Sequence, residues 1–284
     1  MRPTDPDEGM VSLARLTVQG SQVGGATRDL LVAEEPLEIR VNGVPIAVVM
    51  RTPGADAALV RGFVITERIV QQPTEIAAVR ECTTVPSPEA EGNVYLVRLA
   101  PQVPFDARRF TRNLFASSSC GICGKASLES VMDRAEPLED GPVLALEEVH
   151  RLLPRMRHKQ VLFEQTGGLH AAAGFAADGQ LLVVHEDVGR HNAVDKVVGQ
   201  LAAEGRQAAV LTVSGRVSFE VVQKALAARI PIIVAVSAPS ALAVQLARQG
   251  RLTLCGFARG ARFSVYSHPE RIQAGSSQEL ENIP

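Results

Sequence analysis

The segment Ser117-Ser118-Ser119-Cys120-Gly121-Ile122-Cys123-Gly124-Lys125 holds two of the four cysteines of a 284-residue chain. A Cys-x-x-Cys pair can supply half of a zinc site, cycle between dithiol and disulfide, or present one nucleophilic sulfur with a second beside it. A structural zinc site needs four ligands, and the other cysteines, Cys82 and Cys255, stand alone in the sequence. A zinc deaminase carries His-x-Glu first and Pro-Cys-x-x-Cys afterwards. Here the pair comes first, no proline precedes Cys120, and His185-Glu186-Asp187 follows it, so no metal site is expected. A thioredoxin-like dithiol opens a helix directly after a strand, whereas this pair lies in a Ser- and Gly-rich segment that reads as a loop. Loop placement favours a thiol that must reach a partner, attack a sulfur donor, hold a persulfide and pass the sulfur on. Such a thiol ionises near neutral pH when cations and free backbone N–H groups surround it. Lys125 and the two glycines can supply both.

A second group of residues suits phosphate. Three strand-to-helix connections are built from small polar residues: His185-Glu186-Asp187-Val188-Gly189-Arg190-His191-Asn192, Ser214-Gly215-Arg216-Val217-Ser218 and Ser237-Ala238-Pro239-Ser240. Unpaired N–H groups at helix N-termini attract anions, and an arginine beside them adds a two-pronged donor. The bland alternative is that Asn192, Ser214 and Ser240 are helix caps, each contributing about 1 kcal/mol, with Asp195 as the partner of Asn192 in a capping arrangement. The titratable run His185, Glu186, Asp187, His191 could move protons or read a base edge, or could be solvated helix-entry groups. His170, flanked by alanines, reads as a packed histidine unless the fold brings it to these loops. No P-loop and no Gly-x-Gly-x-x-Gly signature is present, which argues against an ATPase or a dinucleotide dehydrogenase.

These side chains need a scaffold, and composition narrows what it can be. Apolar residues make up 46% of the chain and tryptophan is absent, so the core must come from Ala, Val, Leu and Ile. The formal charge of −2 gives no bulk attraction for nucleic acid. No apolar run reaches the roughly 18 residues needed to cross a bilayer, and the acidic, proline-broken N-terminus lacks a secretory core. A cytoplasmic protein is expected, in a compartment where paired cysteines serve metals or catalysis more often than structural disulfides.

Residues 1–25, rich in Gly, Asp, Pro, Ser and Gln, are expected to be a flexible N-terminus. A β-rich N-terminal domain is expected over 26–110. In it, Leu37–Val41 alternates, Asn42-Gly43 is a type I′ turn dipeptide, and Val44–Met50 returns. A helix is expected within 56–70, and a strand pair at 76–82 and 93–99. Residues 111–140 read as the cysteine loop and a connecting segment. The domain over 141–275 alternates helix and strand. Short helices start at Leu146 and again at Pro154, the second ending at Gly167-Gly168. A hairpin turns at Asp178-Gly179, and strands at 208–213, 230–236 and 252–255 alternate with helices at 192–204, 217–229 and 239–249. Buried β-branched strands between helices predict an α/β fold, a three-layer α/β/α sandwich with a parallel or mixed sheet.

Several motifs together carry a resemblance. Glu34-Glu35-Pro36-Leu37-Glu38-Ile39-Arg40-Val41-Asn42-Gly43, Met50-Arg51-Thr52-Pro53-Gly54, the Cys120 segment, Thr166-Gly167-Gly168-Leu169-His170, the His185–Lys196 run and Ser214-Gly215-Arg216-Val217-Ser218 occur in order. With them the chain resembles the formate dehydrogenase accessory sulfurtransferases, the FdhD/NarQ family. The resemblance implies a sulfurtransferase that takes persulfide sulfur from a cysteine desulfurase and passes it to the molybdenum bis(molybdopterin guanine dinucleotide) cofactor destined for formate dehydrogenase. It implies a homodimer, an α/β half similar to the cytidine deaminase fold without its zinc, Cys120 as carrier with Cys123 as helper, and a cofactor-binding segment at Phe257, Ala258, Arg259, Gly260, Ala261 and Arg262. Arg190, His191, Ser214 and Arg216, with His170 nearby, are then expected to line the same pocket, for which GDP or GMP would be a partial mimic. The competing expectation is a non-catalytic chaperone that binds the cofactor and docks it on its enzyme. Neither nucleic acid nor membrane is an expected partner.

Overall fold

The structure, a computed structural model, describes residues 9–85, 87–106 and 136–273. Cys120 and Cys123 lie outside the described residues. In place of a flexible tail to residue 25, strands β1 (Met10–Gln19) and β2 (Gln22–Val32) form an antiparallel hairpin. Gly20 closes its turn at a φ of 62°. The hairpin leaves Leu13, Leu16, Val18 and Val23 exposed. A strand pair that buries so little has no inside-outside alternation, the feature on which strand recognition rests.

The N-terminal unit continues with β3 (Glu35–Val41), β4 (Val44–Arg51), α1 (Asp56–Thr66), β5 (Ile76–Glu81) and β6 (Val94–Leu99). Its four-stranded sheet has the order β4-β3-β6-β5. Leu37, Ile39 and Val41 point inward as their period of two predicts. Asn42 and Gly43 both take positive φ, 49° and 84°, as a type I′ turn requires.

The second unit opens with β7 (Leu144–Ala145) and α2 (Leu146–Arg157), then α3 (Val161–Thr166), which ends at Gly167 in the left-handed conformation. Pro154 lies inside the last turn of α2 and starts no new helix. The buried face of Val149, Leu152 and Met156 carries α2 past the one hydrogen bond that the proline forfeits. There follow β8 (His170–Phe175), β9 (Leu181–Asp187), α4 (Arg190–Ala203), β10 (Val210–Val213), α5 (Phe219–Ala227), β11 (Ile232–Ala235), α6 (Ala241–Gln249), β12 (Thr253–Arg259), β13 (Arg262–Ser267) and β14 (Ile272–Gln273). Six of these strands form one mixed sheet, β13-β12-β11-β10-β8-β9.

In that sheet β10, β11 and β12 are parallel, and β8 is antiparallel to both β10 and β9. Strands β9 to β12 therefore all point the same way. Val210, Ile232, Val234 and Cys255 pack with α2 on one face. Leu211, Val213, Ile233, Ala235 and Leu254 share the other core with α1, α4, α5 and α6. Helices thus cover both faces of a mixed sheet, in keeping with the α/β expectation. No helix of the described residues is long and apolar enough to cross a membrane.

The two units meet where α1 crosses α4. A Cβ on Gly62 would lie 1.8 Å from the Asp195 carbonyl oxygen, and one on Gly199 would lie 1.8 Å from that of Ala58. Only glycine permits the two backbones to come this close.

Candidate functional site

Because β9 to β12 run in one direction, the loops after all four gather at one end of the sheet, and β8 begins there at His170. Ligands of open α/β sheets bind outside the carboxyl ends of the strands. A cavity of about 740 Å³ opens at this end, between the sheet and α2. His150, Leu153, Pro154 and Arg157 form one wall, at the i, i+3, i+4, i+7 spacing of a single helix face. His170, Ser214, Ala258, Arg259 and Gly260 form the other.

Of the sequence candidates, then, His170, Ser214, Ala258, Arg259 and Gly260 share one cavity, while Phe257, Ala261, Arg262, Arg190, His191 and Arg216 are not among its lining residues. Arg190 and Arg216 nonetheless stand near His170. Burial lowers the His170 pKa, and the charges of these two arginines lower it further, which leaves a neutral imidazole at pH 7. A Cβ on Gly215 would meet the His170 ring at 3.2 Å, so the loop after β10 fixes that ring in place. Among the described residues, the guanidiniums of Arg190, Arg216 and Arg259 form no hydrogen bond or ion pair that would occupy them.

His191 turns away from the cavity. Its Nε2 lies 3.3 Å from Ser218 Oγ and 3.8 Å from Glu220 Oε2. Burial, with Lys224 and Arg190 beside it, pushes its pKa down to about 4. The segment 257–262 was expected beyond the end of a strand at residue 255, and it instead forms the tip of the β12–β13 hairpin. A register shift between Gly256 and Arg259 breaks the alternation there and hides the strand from a pattern search. Phe257, 47% exposed, sits in that irregularity at a φ of 53°.

The titratable run at the end of β9 serves the fold. Glu186 accepts hydrogen bonds from the backbone N–H groups of Leu162 and Phe163, 2.9 and 2.8 Å, and so caps α3. Burial pushes the His185 pKa down to about 4, and its Nε2 meets Gln200 Oε1. Asp187 pairs with Lys196 at 2.7 Å, both fully buried. Asn192 is no cap: it donates to Asp187 Oδ1 and to the Met50 carbonyl, and the N-cap of α4 is Gly189. Asp195 instead pairs with Lys224 at 2.9 Å and accepts from Thr66 Oγ1 at 2.6 Å. Ser214 accepts from the N–H of Ala171 rather than capping a helix, and only Ser240 caps as expected, accepting from Ala243.

Sequence reasoning passed over His150, Arg157 and the buried Gln160 of the α2 side. Their signal was available, since His150 and Arg157 lie two turns apart on one face of a helix whose opposite face is apolar. The cavity combines apolar walls with a guanidinium and an imidazole on each side, Arg157 and His150 on α2 and Arg259 and His170 on the sheet. Such a site can hold a planar heterocycle against α2 while cations meet attached phosphates. Among the described residues no cluster of three or more His, Cys, Asp or Glu side chains could hold a metal.

Residues 32–273 match the model of the FdhD/NarQ family. The chain is similar to the "Sulfur carrier protein FdhD" of Streptomyces avermitilis, with 48% identity over 273 residues, 93% of this chain and 96% of the relative. It is similar as well to that of Anaeromyxobacter dehalogenans, with 47% identity over 261 residues, 88% of this chain and 90% of the relative. A solved structure from Desulfotalea psychrophila, described as a formate dehydrogenase accessory protein, superimposes with a TM-score of 0.74 at 25% identity, covering 93% of this chain and 99% of that one.

Proposed function

The chain belongs to the FdhD/NarQ family, and from that premise we propose that it is a cytoplasmic sulfur carrier for formate dehydrogenase. It accepts persulfide sulfur from a cysteine desulfurase on Cys120. It delivers that sulfur to a molybdenum bis(molybdopterin guanine dinucleotide) cofactor bound at the carboxyl end of the sheet. The Cys120 thiolate attacks the outer sulfur of the donor persulfide, a new S–S bond forms, and the donor leaves as a thiolate. Attack by Cys123 on the inner sulfur of the stored persulfide then releases hydrosulfide to the cofactor and leaves a Cys120–Cys123 disulfide, so that atoms and electrons balance.

What supports the cofactor half of this reading is one convergence. His170, Ser214 and Arg259, which lie far apart in the sequence, line a single cavity, and Arg190 and Arg216 stand close enough to His170 for their charges to act on it, neither forming an ion pair among the described residues. A ligand with purine bases and pyrophosphates suits apolar walls ringed by cations. A homodimer would place two such cavities in one particle.

Two measurements test the proposal. Incubation with a desulfurase and cysteine should add about 32 Da per stored sulfur atom to the chain. The addition should vanish in Cys120→Ala, and a chain that gains no mass would be a cofactor chaperone instead. Calorimetry should show GDP binding that Arg216→Ala weakens about tenfold, the effect of losing one charge-assisted contact. Equal affinity in the variant would remove this loop from the site.

A further inference from the structure

The arginine loop after β9 takes its shape from the other unit of the molecule. Thr52, fully buried directly after β4, bonds to the β9–α4 segment through all three of its polar groups. Its N–H donates to Asp187 Oδ2 at 3.2 Å, its hydroxyl accepts from the Val188 N–H at 3.1 Å, and its carbonyl accepts from Lys196 Nζ at 2.8 Å. The carbonyl of Met50 adds a fourth bond, from Asn192 Nδ2 at 2.7 Å. Asp187 completes the lock with Oδ1, which accepts from the N–H of Gly189 at 2.8 Å and from Asn192 Nδ2 at 2.9 Å. The residue after Gly189 is Arg190, whose charge reaches His170 on the cavity wall.

The geometry points to Thr52 of the N-terminal unit as a positioning residue for the phosphate site, acting through Val188 and Gly189 on Arg190. An ordinary loop arginine loses side-chain and backbone freedom when it grips a phosphate, and a backbone already fixed at the two preceding residues has less to lose. Residues 187–189 spend these hydrogen-bonding groups on one another and on Thr52, Lys196, Asn192 and the first turn of α4, where the Gly189 carbonyl accepts from Ala193. The N-terminal sheet thereby belongs to the binding machinery without touching the ligand.

This inference rests on the proposed cofactor site, and its test separates the two. GDP affinity and melting temperature are measured on the full chain for the wild type, Thr52→Val, Thr52→Ser, Arg190→Ala and the double variant Thr52→Val/Arg190→Ala. Valine keeps the shape and the two backbone bonds of Thr52 and removes only the hydroxyl. The expected result is a five- to tenfold loss of affinity in Thr52→Val, roughly the effect of one buried hydrogen bond, restored to within about twofold by Thr52→Ser. In the Arg190→Ala background Thr52→Val should cost nothing further in affinity, because the two act as one unit. Thr66→Val removes a hydroxyl from the other buried contact between the units, so it should lower the melting temperature while leaving GDP affinity unchanged. If Thr52→Val lowers only the melting temperature, or costs as much with Arg190 absent as with it present, the positioning role is wrong even though the site stands. A wild-type chain that binds no GDP would overturn the site itself, and the positioning role with it.

Discussion

The contact between the two units and the open end of the sheet use the same kinds of side chain in opposite ways. At the contact, the buried charges of the described residues are paired: Asp187 with Lys196, and Asp195 with Lys224, which also reaches Glu67 of the N-terminal unit. At the open end, among the described residues, Arg190, Arg216 and Arg259 form no ion pair, although the Arg190 charge is felt by Glu220. Cationic groups held beside one another and unmatched cost stability unless something anionic arrives. The contrast teaches that titratable density alone does not mark a site. What marks it is charge that the fold has declined to pair.

The largest effect should come from unpairing the contact. Asp195→Ala leaves the Lys224 ammonium buried with only Glu67 and the Thr66 hydroxyl. Burial opposes the charge on Lys224, but Asp195 and Glu67 outweigh it and hold the pKa at about 12. Removing one member of a buried pair costs about 3–5 kcal/mol, which urea denaturation of the purified chain would register. A loss below about 1 kcal/mol, within the range of surface ion pairs, would show that water reaches this contact and that the comparison with the open end is overdrawn.

Next in size is the pH response of two half-buried histidines. Burial holds His185 and His191 at a pKa of about 4, against an ordinary 6.5. A histidine whose folded pKa is depressed contributes stability that is whole above 6.5 and is lost as the pH falls toward 4, because the unfolded chain takes up the proton first. His185→Gln should therefore flatten stability between about pH 6.5 and 4.5, and lose about 1–2 kcal/mol less than the wild type over that range. Parallel curves for the two proteins would mean that His185 is hydrated and belongs with the open end.

How far the sequence foretells this depends on the range of the interaction. The β3–β4 hairpin was legible because Asn42-Gly43 and its flanking alternation are local. The alternation of helix and strand after residue 140 was legible for the same reason. The β1–β2 hairpin was not, since its strands bury almost nothing, and β13 was not, since the irregularity at Gly256 and Phe257 interrupts the pattern. At the site, His170, Ser214 and Arg259 were legible as residue types and as parts of motifs. The division of labour within His185–Asn192 was not, because Thr52, Leu162 and Gln200 reach this run from elsewhere in the chain or from the far side of α4. Sequence spacing cannot tell a carboxylate that meets a buried lysine, as Asp187 meets Lys196, from one that waits for substrate.

The finest test of the contrast lies in His170, the one histidine on the cavity wall beside unmatched arginines. Burial, then Arg190, then Arg216 hold its pKa below the ordinary value. A bound pyrophosphate would offset the two arginines, so the complex would take up a proton more readily than the free protein. Linkage then requires GDP to bind more tightly as the pH falls through this range. GDP also loses charge as its terminal phosphate protonates near pH 6, but that change is the same for every variant. The ratio of wild-type affinity to that of His170→Gln should therefore rise as the pH falls below the ordinary histidine value of about 6.5, toward a limit of about threefold for a shift of about half a pKa unit. A ratio that stays flat would put the phosphates beyond the reach of His170 and move the ligand toward His150 and Arg157 on the α2 wall. The cation-rich rim would then be a surface awaiting some other anion.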